Sequence, residues 1–127
     1  RPGSPERETL KATLAEMKSK EVEIPMVIGG KRVTTDQKVA IHPPHDLKHT
    51  LGYYYKGDSG HVTRAIDAAM AASKEWSKMP WQHRASIFLK MADLISGSYR
   101  AKINAATMLA QSKTAFQAEI GAACELA

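Results

Sequence analysis

Residues 84–126, RASIFLKMADLISGSYRAKINAATMLAQSKTAFQAEIGAACEL, decide the fold class. Ile87, Phe88, Met91, Leu94 and Ile95 recur at three- and four-residue spacing, which makes a wide apolar stripe on one side of a helix. Gly97 suits the stop of that helix. The next helix is expected from about Tyr99 to Leu109, with Ile103, Ala106 and Met108 or Leu109 facing inward. QSKT, residues 111–114, is a polar break, and Thr114 is placed to cap a further helix. On that helix Phe116, Ile120 and Ala123 fall on one side. No Gly, Pro or polar stop follows Leu126, so the sequence is expected to be a piece of a longer protein cut within a helix.

Upstream, GDSGHVTRAIDAAMAASKEWSKMP (residues 57–80) is also helical. Asp58 or Ser59 is the cap, Val62, Ile66, Ala69 and Trp76 mark one face, and Pro80 ends the pattern. The period changes in IPMVIGGKRV, residues 24–33, where Gly29 and Gly30 can both take the positive φ that a tight hairpin turn needs. Two glycines without the spacing of a phosphate-cradling motif, and with no helix after them, favour a structural hairpin. Two more short strands are expected near Lys38–Ile41 and Thr50–Tyr55, interrupted by Pro43 and Pro44. At the start, Ser4 suits an N-cap and Pro5 the first helical position, with Glu6 and Glu8 favourable to the helix dipole. Leu10, Leu14 and Met17 form a narrow stripe, so this helix is expected to pack by one edge as an outlying arm. The segment is therefore α+β: an N-terminal helix, short β-hairpin strands, then three to four helices. It divides into an arm (1–22), a hairpin segment (23–57) and a helical part (58–127).

The 127 residues suffice for one modest core, and their 43% hydrophobic and 24% charged residues are an ordinary globular balance. The formal net charge of +5 is spread along the chain without a run of five like charges, so it reads as a solvated face and no nucleic-acid partner is expected. There is one cysteine, Cys124, hence no internal disulfide. Its place between Ala123 and Glu125 suggests a buried, inert thiol. No apolar run approaches the length of a membrane span. The polar start RPGSPERETL shows no signal peptide and reads as an exposed end. His42, His45 and His49 crowd one loop, but no carboxylate–histidine pattern on a helix supports them, so they are expected to be exposed loop residues and no metal is expected. Glu119 and Glu125 are six apart and share no helix face, which makes them a poor acid/base pair. From the residues alone, the chain carries no self-contained active site.

RASIFLKMADLISGSYR, followed by AATMLAQSKTAFQAEIGAACEL, resembles the N-terminal region of the delta-1-pyrroline-5-carboxylate (glutamate-γ-semialdehyde) dehydrogenase branch of the aldehyde dehydrogenase superfamily. GSPERETLKATLAEMK is similar to that branch's N-terminal helix, IPMVIGGKRV to its first hairpin, and AIDAAMAASKEWSKMPWQHRASIFLK to the helix pair that follows. The likeness runs from about Gly3 to Leu126. It departs at Ala110 and Ser112, where the family reads G-Q-G-K-T, and at Gly121, where it has Asp. It is weakest over residues 41–61. Losing those glycines is expected to relax a tight turn.

The resemblance implies an α/β parent with a Rossmann-type NAD domain, a catalytic domain with a nucleophilic cysteine, and an oligomerisation flap. The parent is expected to oxidise L-glutamate γ-semialdehyde to L-glutamate in proline catabolism, with NAD as cofactor, as a homo-oligomer in the mitochondrial matrix. The catalytic cysteine, general-base glutamate, oxyanion asparagine and nucleotide-binding turn lie downstream in the family. No catalytic, cofactor-binding or metal-binding residue is therefore expected in this chain, which alone would be inactive and would not hold NAD, and Cys124 is not the nucleophile. One substrate-binding position carries over: Glu125, matching the glutamate of the branch's A-E-L helix beside the aldehyde entrance. A buried or partly buried acid there would steer the substrate's ammonium group; otherwise it is a helix-surface carboxylate. The partners implied are the remainder of the parent chain and a small-molecule substrate. The alternative is a truncated, non-catalytic relative acting as a structural subunit or interaction module, which the basic balance and the lost glycines favour mildly. Either way the isolated chain is expected to expose the apolar faces of its helices.

Overall fold

The computed structural model describes residues 3–127. Helix α1 spans Pro5–Ser19. Strands β1 (Val22–Ile24), β2 (Met26–Ile28), β3 (Lys31–Val33), β4 (Lys38–Ile41) and β5 (Gly52–Tyr55) follow. Then come α2 (Ser59–Trp76), α3 (Trp81–Ser96), α4 (Arg100–Gln111), the short α5 (Ala115–Ala118) and a π-helical segment, Glu119–Cys124. Among the described residues no helix is long and apolar enough to cross a membrane.

Local chemistry explains the helix starts. The Ser4 side chain accepts a bond from the Arg7 N–H at 3.4 Å, with Pro5 opening the helix. Asp58 caps α2 by accepting the His61 N–H at 3.0 Å, while the His61 ring accepts the Asp58 N–H at 3.2 Å. The His61 ring beside it holds the Asp58 carboxyl below its usual range. Thr114 caps α5, accepting the Gln117 N–H at 3.3 Å.

The strands form two small sheets. β2 and β3 are the expected antiparallel hairpin, Met26 opposite Val33, turning on Gly29 (φ 58°) and Gly30 (φ 75°). Pro25 cuts the apolar run that begins at Ile24, and Val22–Ile24 joins the other sheet. There the order is β1-β5-β4, with β1 parallel and β4 antiparallel to β5. Gly52 faces Val22 so closely that a β-carbon would fall onto the Val22 carbonyl oxygen and within 2.8 Å of its nitrogen.

The core lies around α4. α1 packs along it, its half-buried residues being Leu10, Thr13, Leu14 and Met17, so the arm packs by one edge but onto the centre of the molecule rather than outlying. Ala105, Leu109, Ala118, Ala122 and Ala123 are buried, together with Asn104, Leu51 and Ile95. The inward face after Thr114 needs correction. Phe116 is 74% exposed and Ile120 is also exposed, while Ala118, Ala122 and Ala123 turn inward. Phe116, two residues before buried Ala118 on α5, lies on the opposite side of that helix, and from Glu119 the i→i+5 winding widens the turn and shifts the face that a 3.6-residue period selects. On α2 and α3 the apolar stripes stand uncovered, as expected of this chain by itself: of those stripes only Ile95 is buried, and Val62, Ile66, Ile87, Phe88 and Met91 are half uncovered or more.

That uncovered surface far exceeds scattered apolar exposure. The isolated 127-residue chain is expected to bind a hydrophobic dye such as ANS strongly and to self-associate; a monomer with no dye binding would contradict this. In the intact protein, Gly52→Ala is expected to cost about 1–3 kcal/mol of stability, because the β1–β5 ladder must open to admit the methyl group. A calorimetric transition unchanged from wild type would contradict it.

Candidate functional site

Arg100 opens α4 and Asn104 lies one turn further on, so both present to the same side of the helix. Opposite them stands Glu119, the first residue of the π-helical segment. Arg100 Nε and Nη2 donate to Glu119 Oε1 at 2.9 and 2.6 Å, and Asn104 Nδ2 donates to Oε2 at 2.6 Å. Both carboxylate oxygens are thus held by donors from α4, with charge assistance. The Arg100 hydrogen bonds hold the Glu119 carboxyl below its usual range; partial burial opposes this and Asn104 adds to it. The same contacts raise the Arg100 guanidinium further. Asn104 is 5% exposed, and its Oδ1 is buried without a partner among the described residues.

These residues floor an open groove of about 690 Å³ between the first turns of α1, the end of α3 and the start of α4. Glu6, whose carboxyl is lowered by its own backbone N–H and by Ser4, lies on the opposite wall. Arg7 and Arg100 stand against Glu6 and Glu119 in the groove's lining, so it carries no net charge to draw an anion. The arrangement is a clamp that ties the π-helical segment to α4.

Glu125 follows that segment directly, its backbone N–H donating to the Ala122 carbonyl. Its side chain is exposed rather than buried or partly buried, because nothing in the described chain packs over the end of the segment. Among the described residues it takes part in no ion pair. Cys124 is likewise exposed, not buried, since the alanines take the face against α4. Glu119 is held in the clamp, while Glu125 stands exposed beyond the segment. The histidines do not converge: His42 Nδ1 donates to the His49 carbonyl at 2.8 Å, and His45 Nδ1 meets Ser112 Oγ at 2.7 Å. Among the described residues no group of three metal-capable side chains forms. The turn at Ser112 is not relaxed; it keeps the left-handed conformation, φ 54°, that glycine favours, with its hydroxyl tied to His45.

The clamp was not foreseen, though one signal for it exists. An arginine in the first turn of a helix opposes the dipole, so Arg100 asks for an anionic partner from elsewhere. Glu119 has its folded pKa lowered from 4.5, so the pair's contribution is present above that value and lost as pH falls through the folded pKa. In the intact protein Arg100→Met is expected to cost about 1–2 kcal/mol near neutral pH, for a partly exposed charged hydrogen-bonded pair. The cost should shrink as pH falls below 4.5 and through the lowered folded pKa, because protonation of Glu119 removes from the wild type the attraction that the variant already lacks. Denaturation curves across that range check this.

Comparison with known proteins places the chain. Residues 32–125 match the aldehyde dehydrogenase family. The delta-1-pyrroline-5-carboxylate dehydrogenase of Agaricus bisporus is 49% identical over 127 residues, 99% of this chain and 23% of its own length. The mitochondrial delta-1-pyrroline-5-carboxylate dehydrogenase of Mus musculus is 44% identical over 124 residues, covering 98% of this chain and 22% of the relative. The crystal structure of the Mycobacterium tuberculosis delta-pyrroline-5-carboxylate dehydrogenase, bound with NAD and cobalamin, superposes with a TM-score of 0.95 at 40% identity. That match covers 98% of this chain and 24% of the other. The chain therefore spans less than a quarter of the length of these relatives. With the family pattern running from the first hairpin through the π-helical segment, the chain belongs to the aldehyde dehydrogenase family.

Proposed function

We propose that this chain is the N-terminal part of an NAD-dependent delta-1-pyrroline-5-carboxylate dehydrogenase, which oxidises L-glutamate γ-semialdehyde to L-glutamate in proline catabolism. The observation that carries this reading is the superposition of nearly the whole chain on the Mycobacterium tuberculosis enzyme, TM-score 0.95. The proposal extends to a homo-oligomeric parent of the mitochondrial matrix, supported by the mouse and human relatives described as mitochondrial. Ser112 keeps the left-handed turn in place of the family glycine, which removes one reason to prefer a non-catalytic relative.

Within this reading the chain contributes shape and binding. NAD supplies the oxidising power and is held by the remainder of the parent. In the arm (1–22), α1 braces α4, and the hairpin segment (23–57) carries the two small sheets. The helical part (58–127) belongs to the NAD-binding domain, and the uncovered faces of α2 and α3 receive the rest of the polypeptide. Glu125 is the substrate-binding residue. It is exposed and has no cation beside it among the described residues, so its carboxylate is available to the ammonium group that distinguishes glutamate semialdehyde from simple aldehydes. An exposed carboxylate–ammonium pair contributes up to about 1 kcal/mol, and more when a closing site excludes water.

The full-length protein is expected to reduce NAD in the presence of glutamate semialdehyde, while residues 1–127 alone give no turnover. Glu125→Ala should raise KM by about three- to tenfold with kcat little changed, as loss of binding shared by ground and transition states does. Steady-state kinetics on the purified full-length protein decides it. No NAD reduction with this substrate overturns the reading.

A further inference from the structure

We propose that Arg100 and Asn104, acting through Glu119, are positioning residues that aim Glu125 by holding residues 119–124 in π-helical winding. The inference rests on the functional reading above and deepens it.

A π-helix is rarely stable on its own and persists where its surroundings fix it. Here it is fixed at one end and along one side. At its first residue, Glu119 receives donors from Arg100 and Asn104 on both carboxylate oxygens. Along the inner side, Ala118, Ala122 and Ala123 are buried at separations of four and five residues, the spacing that an i→i+5 turn brings to one face. At the far end nothing in the described chain holds the Glu125 side chain. Its direction is therefore inherited from Glu119 through the winding between them. Were the segment to relax to an α-helix, one residue would be taken out of the turn. Glu125 would then rotate by about 100° about the helix axis, the angle of one α-helical residue.

Asn104 supplies an independent argument. The residue is 5% exposed, and its Oδ1 is buried with no partner among the described residues. A buried unsatisfied oxygen is a standing cost, which an apolar residue at this position would avoid. The contact that offsets it is the amide's 2.6 Å donation to Glu119. A residue placed only for packing would not need that geometry; a residue that locates a carboxylate would.

The test uses the full-length enzyme and two substrates of the same carbon skeleton: glutamate semialdehyde and glutarate semialdehyde, which lacks the amino group. Asn104→Leu keeps the γ-branched shape, at a somewhat greater volume, and removes the donor. It is expected to raise KM for glutamate semialdehyde by about three- to tenfold, leaving kcat and the KM for glutarate semialdehyde within about twofold. In a Glu125→Ala background the same substitution should have no further effect, because the residue it aims is gone. Arg100→Lys keeps the charge, loses the forked geometry and should give the same pattern, which covers the case in which Asn104→Leu does not fold. Equal losses on both substrates, or effects that add to Glu125→Ala, would overturn the inference. So would a Glu125→Ala enzyme with unaltered KM. If wild type oxidises glutamate semialdehyde and discriminates normally in the variants, positioning fails and the functional reading stands. If wild type does not oxidise it, both fall.

Discussion

α4 must be narrow on its buried side, because α1, α5 and the π-helical segment all reach it there. Side-chain volume sets that limit. Ala105 and Ala118 have no exposed surface, and Ala122 and Ala123 close the same contact. Small residues let backbones approach, but they bury little apolar area each, so close packing alone gives a weak joint. The joint is reinforced by polar chemistry at its edge, where Arg100 and Asn104 grip Glu119. The groove beside α1, the phase of the π-helical segment and the exposure of Glu125 all follow from this one seam.

Much of the fold was legible because it is decided locally. Ser4 and Thr114 were recognisable as caps from residue type and position, and Asp58 as one of two candidates with Ser59; Ser4, Asp58 and Thr114 each accept a backbone N–H at a helix start. Gly29–Gly30 announced a hairpin because only glycine adopts two successive positive φ values without strain. Other features were hidden because they depend on residues distant in the chain. Val22–Ile24 becomes a strand only because β5 lies parallel beside it, and its own three residues do not show that. The inward face after Thr114 was misjudged because Phe116 was taken as its anchor, where Ala118 is the buried residue, and because a 3.6-residue period was carried past Glu119 into a segment that winds more widely. The apolar stripes of α2 and α3 were read correctly as stripes, yet hydrophobic spacing cannot say where the covering surface comes from.

The candidate site was legible to a smaller degree. Glu125 stands out only through family resemblance, since one glutamate on a helix carries no signature of its role. Glu119 was set aside because it shares no face with Glu125; its partners lie 19 and 15 residues upstream on another helix. What the sequence does hold is a pair of local inconsistencies. Arg100 sits at a helix start where a cation is unfavourable, and Asn104 sits among core residues. Residues that violate local rules are where long-range contacts are to be sought.

The pairing of α1 with α4 also has a consequence in time. About eighty residues separate the end of α1 from the start of α4, so at some 5–20 residues per second the ribosome keeps α1 waiting for several seconds. During that interval its apolar edge has nothing to cover it. The helix is equipped to wait. Its cap at Ser4 and the Lys11–Glu8 and Lys20–Glu16 pairs are complete without any other element, and its apolar stripe is only one residue wide. A broader stripe would hold α4 more tightly in the finished molecule, at greater risk of meeting another nascent chain first.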